Sequence, residues 1–212
     1  MRRLVAGVLA LMTSACWHVE GSGVYAEQTR PVGAFSEVVL SGGLKAEISA
    51  GAEPSVVVSG DDNLVCVIET TVDGDKLVIS PEPGILYSES QPLVVRVTAA
   101  TLSSLEASGA SHISARGIST RSLSVEASGA SLVDLTGWAE RVELEVSGAS
   151  TVRAFDLASN TAVVEASGAS KVQVRADIEA KVEASGASDV EVAGEARIRE
   201  DVSGASKVTR VD

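Results

Sequence analysis

The six-residue phrase EASGAS at 126–131 is one of a series: EASGAS at 106–111, EVSGAS at 145–150, EASGAS at 165–170, EASGAS at 183–188 and DVSGAS at 201–206. Their first serines, Ser108, Ser128, Ser147, Ser167, Ser185 and Ser203, are spaced by 20, 19, 20, 18 and 18 residues. A fixed period near twenty is the signature of a stacked repeat, and it is short for a helical one. Around the phrase, alternate residues share a character. Val142, Leu144, Val146, Gly148, Ser150, Val152 and Ala154 are apolar or small, whereas the residues between them, Glu143, Glu145, Ser147, Ala149, Thr151 and Arg153, are mostly polar. Period-two alternation is that of a strand, because successive side chains point to opposite faces. A helix would repeat every three or four residues. The expected fold class is all-β, a parallel β-helix (β-solenoid) with about 18–20 residues per coil.

Stacking such coils brings equivalent positions into columns about 4.8 Å apart. Gly109, Gly129, Gly148, Gly168, Gly186 and Gly204 form one column, expected at a corner where a side chain has no room. The serines two residues on, Ser111 to Ser206, are expected to face inward and bond to backbone at that corner. Glu106, Glu126, Glu145, Glu165, Glu183 and Asp201 form an outward acidic column, the candidate binding column. Stacked like charges repel, so water, salt or the neighbouring Lys171, Lys181, Arg199 and Lys207 must offset them. A row of calcium ions is the alternative, although the Gly-Gly-x-Gly-x-Asp signature of calcium-binding repeats is missing. No metal site and no cofactor are expected. Aromatics make up only 3% of the 212 residues, so the core must be aliphatic.

Residues 33–104 read as degenerate coils and an amino-terminal cap, and 105–212 as the regular coils. EVVLSGGLKAEI at 37–48 repeats the alternation. SVVVSGDDNLVCVI begins the next coil at Ser55, since Ser41 and Ser59 are 18 apart. An Asp73-Gly74 turn separates TTV from KLVIS. In the last coil Glu200 and Arg210 occupy inward places held earlier by Val, Leu or Ala. Charges there discourage end-to-end strand addition, so a monomer is expected and a bactofilin-like polymer is disfavoured.

MRRLVAGVLALMTSAC has the layout of an export signal: two arginines, an apolar run from Leu4 to Met12, then small residues to Cys16. The run is too short to span a bilayer. Thr13-Ser14-Ala15-Cys16 looks like a lipobox, with Thr13 where leucine is usual. Residues 1–15 are then the lipoprotein-type signal peptide and Cys16 the lipid attachment site. Cleavage after Ala26 is the alternative. Residues 16–32 read as a partly disordered tether, and Cys66, in step with Leu64 and Ile68, as a buried thiol.

The net charge of −12 disfavours nucleic acid and anionic lipid headgroups. Membrane contact is expected through the lipid on Cys16. Catalysis finds little support. His18 and His112 are isolated, Ser111 and His112 should point to opposite faces, and no nucleophile elbow, phosphate loop or Cys/His cluster is present.

The order of features, from export signal through FSEVVLSGGLKAEI, VVVSGDDNLVCVIETTVDGDKLVIS and LVVRVTAATLSSLEASGAS with its echoes, resembles the putative auto-transporter adhesin, head GIN domain family of bacterial exported proteins. The resemblance covers residues 33–212. It implies a right-handed parallel β-solenoid at the cell surface or in the periplasm, and it supplies no catalytic residues. The expected function is a non-catalytic binding or adhesion module contacting a cell-envelope polymer, a glycan or a protein. A structural spacer is the alternative; a polysaccharide-active enzyme or an ice-binding face fits less well.

Overall fold

The structure is a computed structural model that describes residues 17–211 apart from Ala52. Cys16 and the export signal lie outside the described residues. The chain forms a β-solenoid of about five turns.

The regular part runs through β10 (Ser104–Ala107), β11 (His112–Ala127), β12 (Leu132–Val146), β13 (Thr151–Ala154), β14 (Leu157–Ala166), β15 (Lys171–Arg175), β16 (Glu179–Ala184), β17 (Asp189–Ala193), β18 (Arg197–Val202) and β19 (Lys207–Val211). The segments before each SGAS corner pair in parallel as one sheet, β10, β11, β12, β14, β16 and β18 in turn. Those after it pair as a second sheet, with β11, β12, β13, β15, β17 and β19 in turn. The long strands β11 and β12 serve both sheets, bending near Gly117 and Gly137 on the way.

Between the sheets lie aliphatic ladders. One runs Leu105, Val125, Leu144, Val164, Val182 in strict register, each 1% exposed or less. Burying such a side chain stabilises by about 1.5–3 kcal/mol relative to leaving it in water. A one-residue slip would turn every ladder outward, so the alternation fixes the register.

The amino end inverts the simple order. Its strands are β1 (Trp17–Glu20), β2 (Tyr25–Arg30), β3 (Glu37–Leu40), β4 (Lys45–Ala50), β5 (Ser55–Asp61), β6 (Ile68–Asp73), β7 (Lys76–Pro81), β8 (Ile85–Ser88) and β9 (Val94–Ala99), with a short helix α1 (Asp62–Val65) after β5. The β3/β4 coil stacks directly on β10 and β11. Its other side is covered by the later strands β7 and β9. The expected coil from Ser55 does not form. Instead β5 runs antiparallel to β9, β2 antiparallel to β5, and β6 antiparallel to β7 across the Asp73-Gly74 turn. Spacing alone could not separate these outcomes, because parallel and antiparallel strands share the same alternation.

Two further expectations change here. Residues 17–30 are not a loose tether, since most of them lie in β1, paired with β8, and β2. Cys66 is exposed rather than buried. It follows α1, whose turn buries Leu64 and Val65 together and breaks the strand period that placed Cys66 inside.

Gly60-Asp61-Asp62-Asn63 forms the latch that holds the entering chain. Asp61 is fully buried and accepts hydrogen bonds from the backbone amides of Gly23 (2.7 Å), Ser90 (2.9 Å) and Gln91 (3.0 Å). Asp62 accepts from the Ser22 hydroxyl, and Asn63 bridges the Ser22 amide and the Glu20 carbonyl. Burial pushes the Asp61 pKa upward, but the amides of Gln91, Ser90 and Gly23 outweigh it and hold it below the ordinary 3.8. A carboxylate with a lowered folded-state pKa stabilises above its unfolded value and loses that contribution as pH falls through the folded value. The latch is therefore at full strength above about pH 5 and fails in stronger acid. Hydrogen exchange should show the Gly23, Ser90 and Gln91 amides losing protection below pH 3.8. Asp61→Asn should expose them at neutral pH, and unchanged protection in that variant would refute the latch.

Candidate functional site

Each SGAS phrase is a tight corner. Gly109, Gly129, Gly148, Gly168, Gly186 and Gly204 have φ between +73° and +79°, a region that favours glycine. A side chain at Gly148 would also place its Cβ 2.4 Å from the carbonyl oxygen of Gly129 in the coil below. That carbonyl is engaged by the amide of Ala149 at 2.7 Å, and the same bond recurs at every later corner. The glycines lie exposed in the turn and not on the inward face. The turn spans two residues, Gly and Ala, so the following strand resumes with its parity intact, and the sequence alternation continues across the glycine although the strand does not.

The buried serines close the corner. Ser111, Ser131, Ser170 and Ser188 each donate from Oγ to the carbonyl of the serine three residues earlier, at 2.7, 2.7, 2.6 and 3.0 Å. They are spent on structure. His112 points away from Ser111, toward Asp134 at 2.8 Å, which separates the two as expected.

Directly before the corner, the acidic column is in strict register: Glu106 pairs with Glu126, Glu126 with Glu145, Glu145 with Glu165, Glu165 with Glu183, and Glu183 with Asp201. The column begins at Glu106, because the preceding rungs carry Val39 and Val78 there. Five steps of about 4.8 Å make a ladder about 24 Å long. Its upper five acids, with Ser147, Ser167, Ser185 and Ser203, line an open groove of about 350 Å³.

Of the cations expected to offset the ladder, one does so. Lys181 Nζ lies 2.6 Å from Glu183 Oε1. Its pKa is raised by that hydrogen bond and by Glu183, with further pull from Glu165 and Asp201. Arg199 pairs with Glu179 and Lys171 with Glu191, one position off the column or on the other sheet. Glu191 is held below the usual carboxylate range by the Gln173 amide and then by Lys171. Glu106, Glu126, Glu145, Glu165 and Asp201 have no cation within salt-bridge distance among the described residues. Among those residues no group of three or more His, Cys, Asp or Glu is placed to hold a metal ion.

In-register like charges cost stability, by the 0.2–1 kcal/mol that such cross-strand pairs are worth. Glu145→Gln should therefore raise stability by about 0.5 kcal/mol at low salt, with the gain shrinking as salt is added. Denaturant titrations at two ionic strengths check this, and a loss of stability would mean that the ladder is not strained by its charge.

The family model described as putative auto-transporter adhesin, head GIN domain, matches residues 34–196. A search of curated proteins returned no match. Among solved structures, a putative adhesin from Bacteroides fragilis superposes with a TM-score of 0.76 at 15% identity, over 91% of this chain and 100% of that one. A putative lipid binding protein from Parabacteroides distasonis gives 0.56 at 16% identity, over 92% and 100%. A putative adhesin from Parabacteroides distasonis gives 0.53 at 17%, again over 92% and 100%. These likenesses establish the fold.

Proposed function

The chain belongs to the putative auto-transporter adhesin, head GIN domain family, and on that premise we propose that it is an exported, non-catalytic adhesion module, carried on the membrane by a lipid on Cys16. Its binding face is the acid and serine groove, and its partner is a positively charged stretch of a cell-envelope polymer, glycan or protein. The observation that carries this reading is the in-register ladder itself, six acids of which only Glu183 has a cation within salt-bridge distance among the described residues. Nothing in the core requires these residues, because their side chains face solvent. A row of carboxylates at strand spacing is stabilised when a polycation replaces its loosely held counterions, and the groove gives that ligand a track to lie along. The family's adhesin-like character supports the same role.

The test is a glycan array and an envelope-fraction pull-down with the mature protein and with a variant carrying Glu126→Gln, Glu145→Gln, Glu165→Gln and Glu183→Gln. Saturable capture of a cationic partner that disappears in the variant is expected. A protein that captures nothing saturably would be a spacer, and capture unchanged by the four substitutions would move the binding face elsewhere. Metabolic labelling with a fatty acid, compared between the native chain and Cys16→Ser, tests the anchor; equal labelling would remove it.

A further inference from the structure

The aliphatic interior opens to solvent where β4 leaves the stack. β4 runs beside β11 only as far as Ser49 and Arg116, because the chain then reverses into β5, antiparallel to β9, instead of continuing round the coil. Past that point β11 bends at Gly117, and Ile118 has a strand partner on one side, Gly137 of β12, and none on the other among the described residues. A cleft of about 50 Å³ remains there, walled by Ile48, Ala50, Ala99, Leu102, Ala115 and Ile118. Leu102 and Ile118 are 8% and 5% exposed, the two least buried members of the core. At about 10–15 Å³ for one water-sized sphere, the cleft has room for about four methyl-sized groups.

Arg116 stands at the mouth of this cleft. It also borders a polar cavity of about 300 Å³ on the outer face of the same strands, shared with Arg96, Glu47, Ser49 and Thr98. Arg116, Ser49 and Thr98 lie in register across β11, β4 and β9. The other charges of the cavity are already paired, Glu47 with Lys45 at 3.1 Å and Arg96 with Glu27 at 3.0 Å. Arg116 has no acidic partner within salt-bridge distance among the described residues. We propose that this is a binding site for a small organic acid, with its carboxylate on the Arg116 guanidinium beside Ser49 and Thr98, and its aliphatic chain of about two to four carbons in the cleft. A guanidinium is a planar fork that meets a carboxylate through two parallel hydrogen bonds, which selects this anion over a neutral group of the same shape. The apolar wall then selects for the chain, because each methylene taken out of water adds affinity until the cleft is full. The site is on the other sheet from the acidic ladder and takes a ligand of opposite charge, so neither depends on the other.

The test titrates the mature protein, with isotope-labelled isoleucine methyls, with the sodium salts of acetic, propanoic, butanoic, pentanoic and hexanoic acids, and with butanamide as the uncharged match of butanoate. Saturable shifts of the Ile48 and Ile118 methyl signals are expected. Affinity should rise about threefold to fourfold with each added methylene and level off once the chain fills the cleft. Butanamide should bind at least about tenfold more weakly than butanoate, since it offers no charge to the guanidinium. Arg116→Gln should lose the same factor at an unchanged melting temperature, because Arg116 is exposed and its side chain supports no packing. Equal affinity for butanoate and butanamide would overturn the carboxylate assignment, and so would full affinity in Arg116→Gln. Affinity that does not change from acetate to hexanoate would overturn the cleft as the chain's seat. Titrations that leave the Ile48 and Ile118 methyls unmoved would overturn the site as a whole.

Discussion

Gly148→Ala is expected to lower stability by about 3 kcal/mol or more, of which about 1–2 kcal/mol is the cost of a left-handed backbone for a residue with a Cβ. The remainder is the collision with the Gly129 carbonyl, which the Cβ would approach to 2.4 Å. Relief requires the corner to shift, and the amide of Ala149 would then lose its 2.7 Å bond to that carbonyl. At about 2–4 °C of melting temperature per kcal/mol for a chain of this size, the fall should be about 6–12 °C. Gly74→Ala is the matched control. Gly74 also has positive φ, +60°, but nothing lies within 4 Å of its Cβ position, so only the backbone cost applies. Melting curves of the two variants check this, and equal losses would mean that the stacked corner contributes nothing beyond its backbone angle.

The second large effect concerns the free end of the stack. Val182 is followed in its ladder by Glu200, and Val192 by Arg210. Arg210 folds its guanidinium onto the carbonyls of Gly194 and Ala196, closing the last coil with charge-assisted bonds. Glu200 ends the other ladder exposed, beside a half-open Val202. Replacing both, as Glu200→Val with Arg210→Val, leaves an aliphatic terminal rung whose unpaired strands match the rung of a second copy. The native protein should sediment as a monomer, and the double variant should dimerise with rising concentration. A double variant that stays monomeric would show that these charges are not what ends the stack.

The regular coils were legible in the sequence because every coil states the same local rule. Alternation sets which side chains are inside, and the SGAS spacing sets the register, so Leu105, Val125, Leu144, Val164 and Val182 could be aligned before any coordinates. The acidic column followed from the same register. The amino end was not legible, for a physical reason. β2 is partly exposed along its whole length, so Tyr25–Arg30 carries no apolar alternation, and its partner β5 lies far along the chain. Only that pairing, together with Asp61 gripping the amide of Gly23, makes the segment ordered. The same holds for Cys66, where one helical turn resets the period. The phrase GDDN at 60–63 was conspicuous, but its role as a latch depends on three amides from two distant segments.

Replacement of Glu by Gln along the groove also sets the sharpest test of function, if it is matched for charge. One variant carries Glu126→Gln, Glu145→Gln, Glu165→Gln and Glu183→Gln. The other carries Glu53→Gln, Glu69→Gln, Asp75→Asn and Glu82→Gln, exposed acids of the amino-terminal part, away from the ladder. Both variants gain four units of charge, so a nonspecific attraction would weaken equally in each. Calorimetric titration with a glucosamine oligomer and with oligolysine should show at least about tenfold weaker binding for the groove variant alone, a change worth about 1.4 kcal/mol. Equal weakening in the two, or none in either, would contradict the assignment of the acidic ladder as the face that binds.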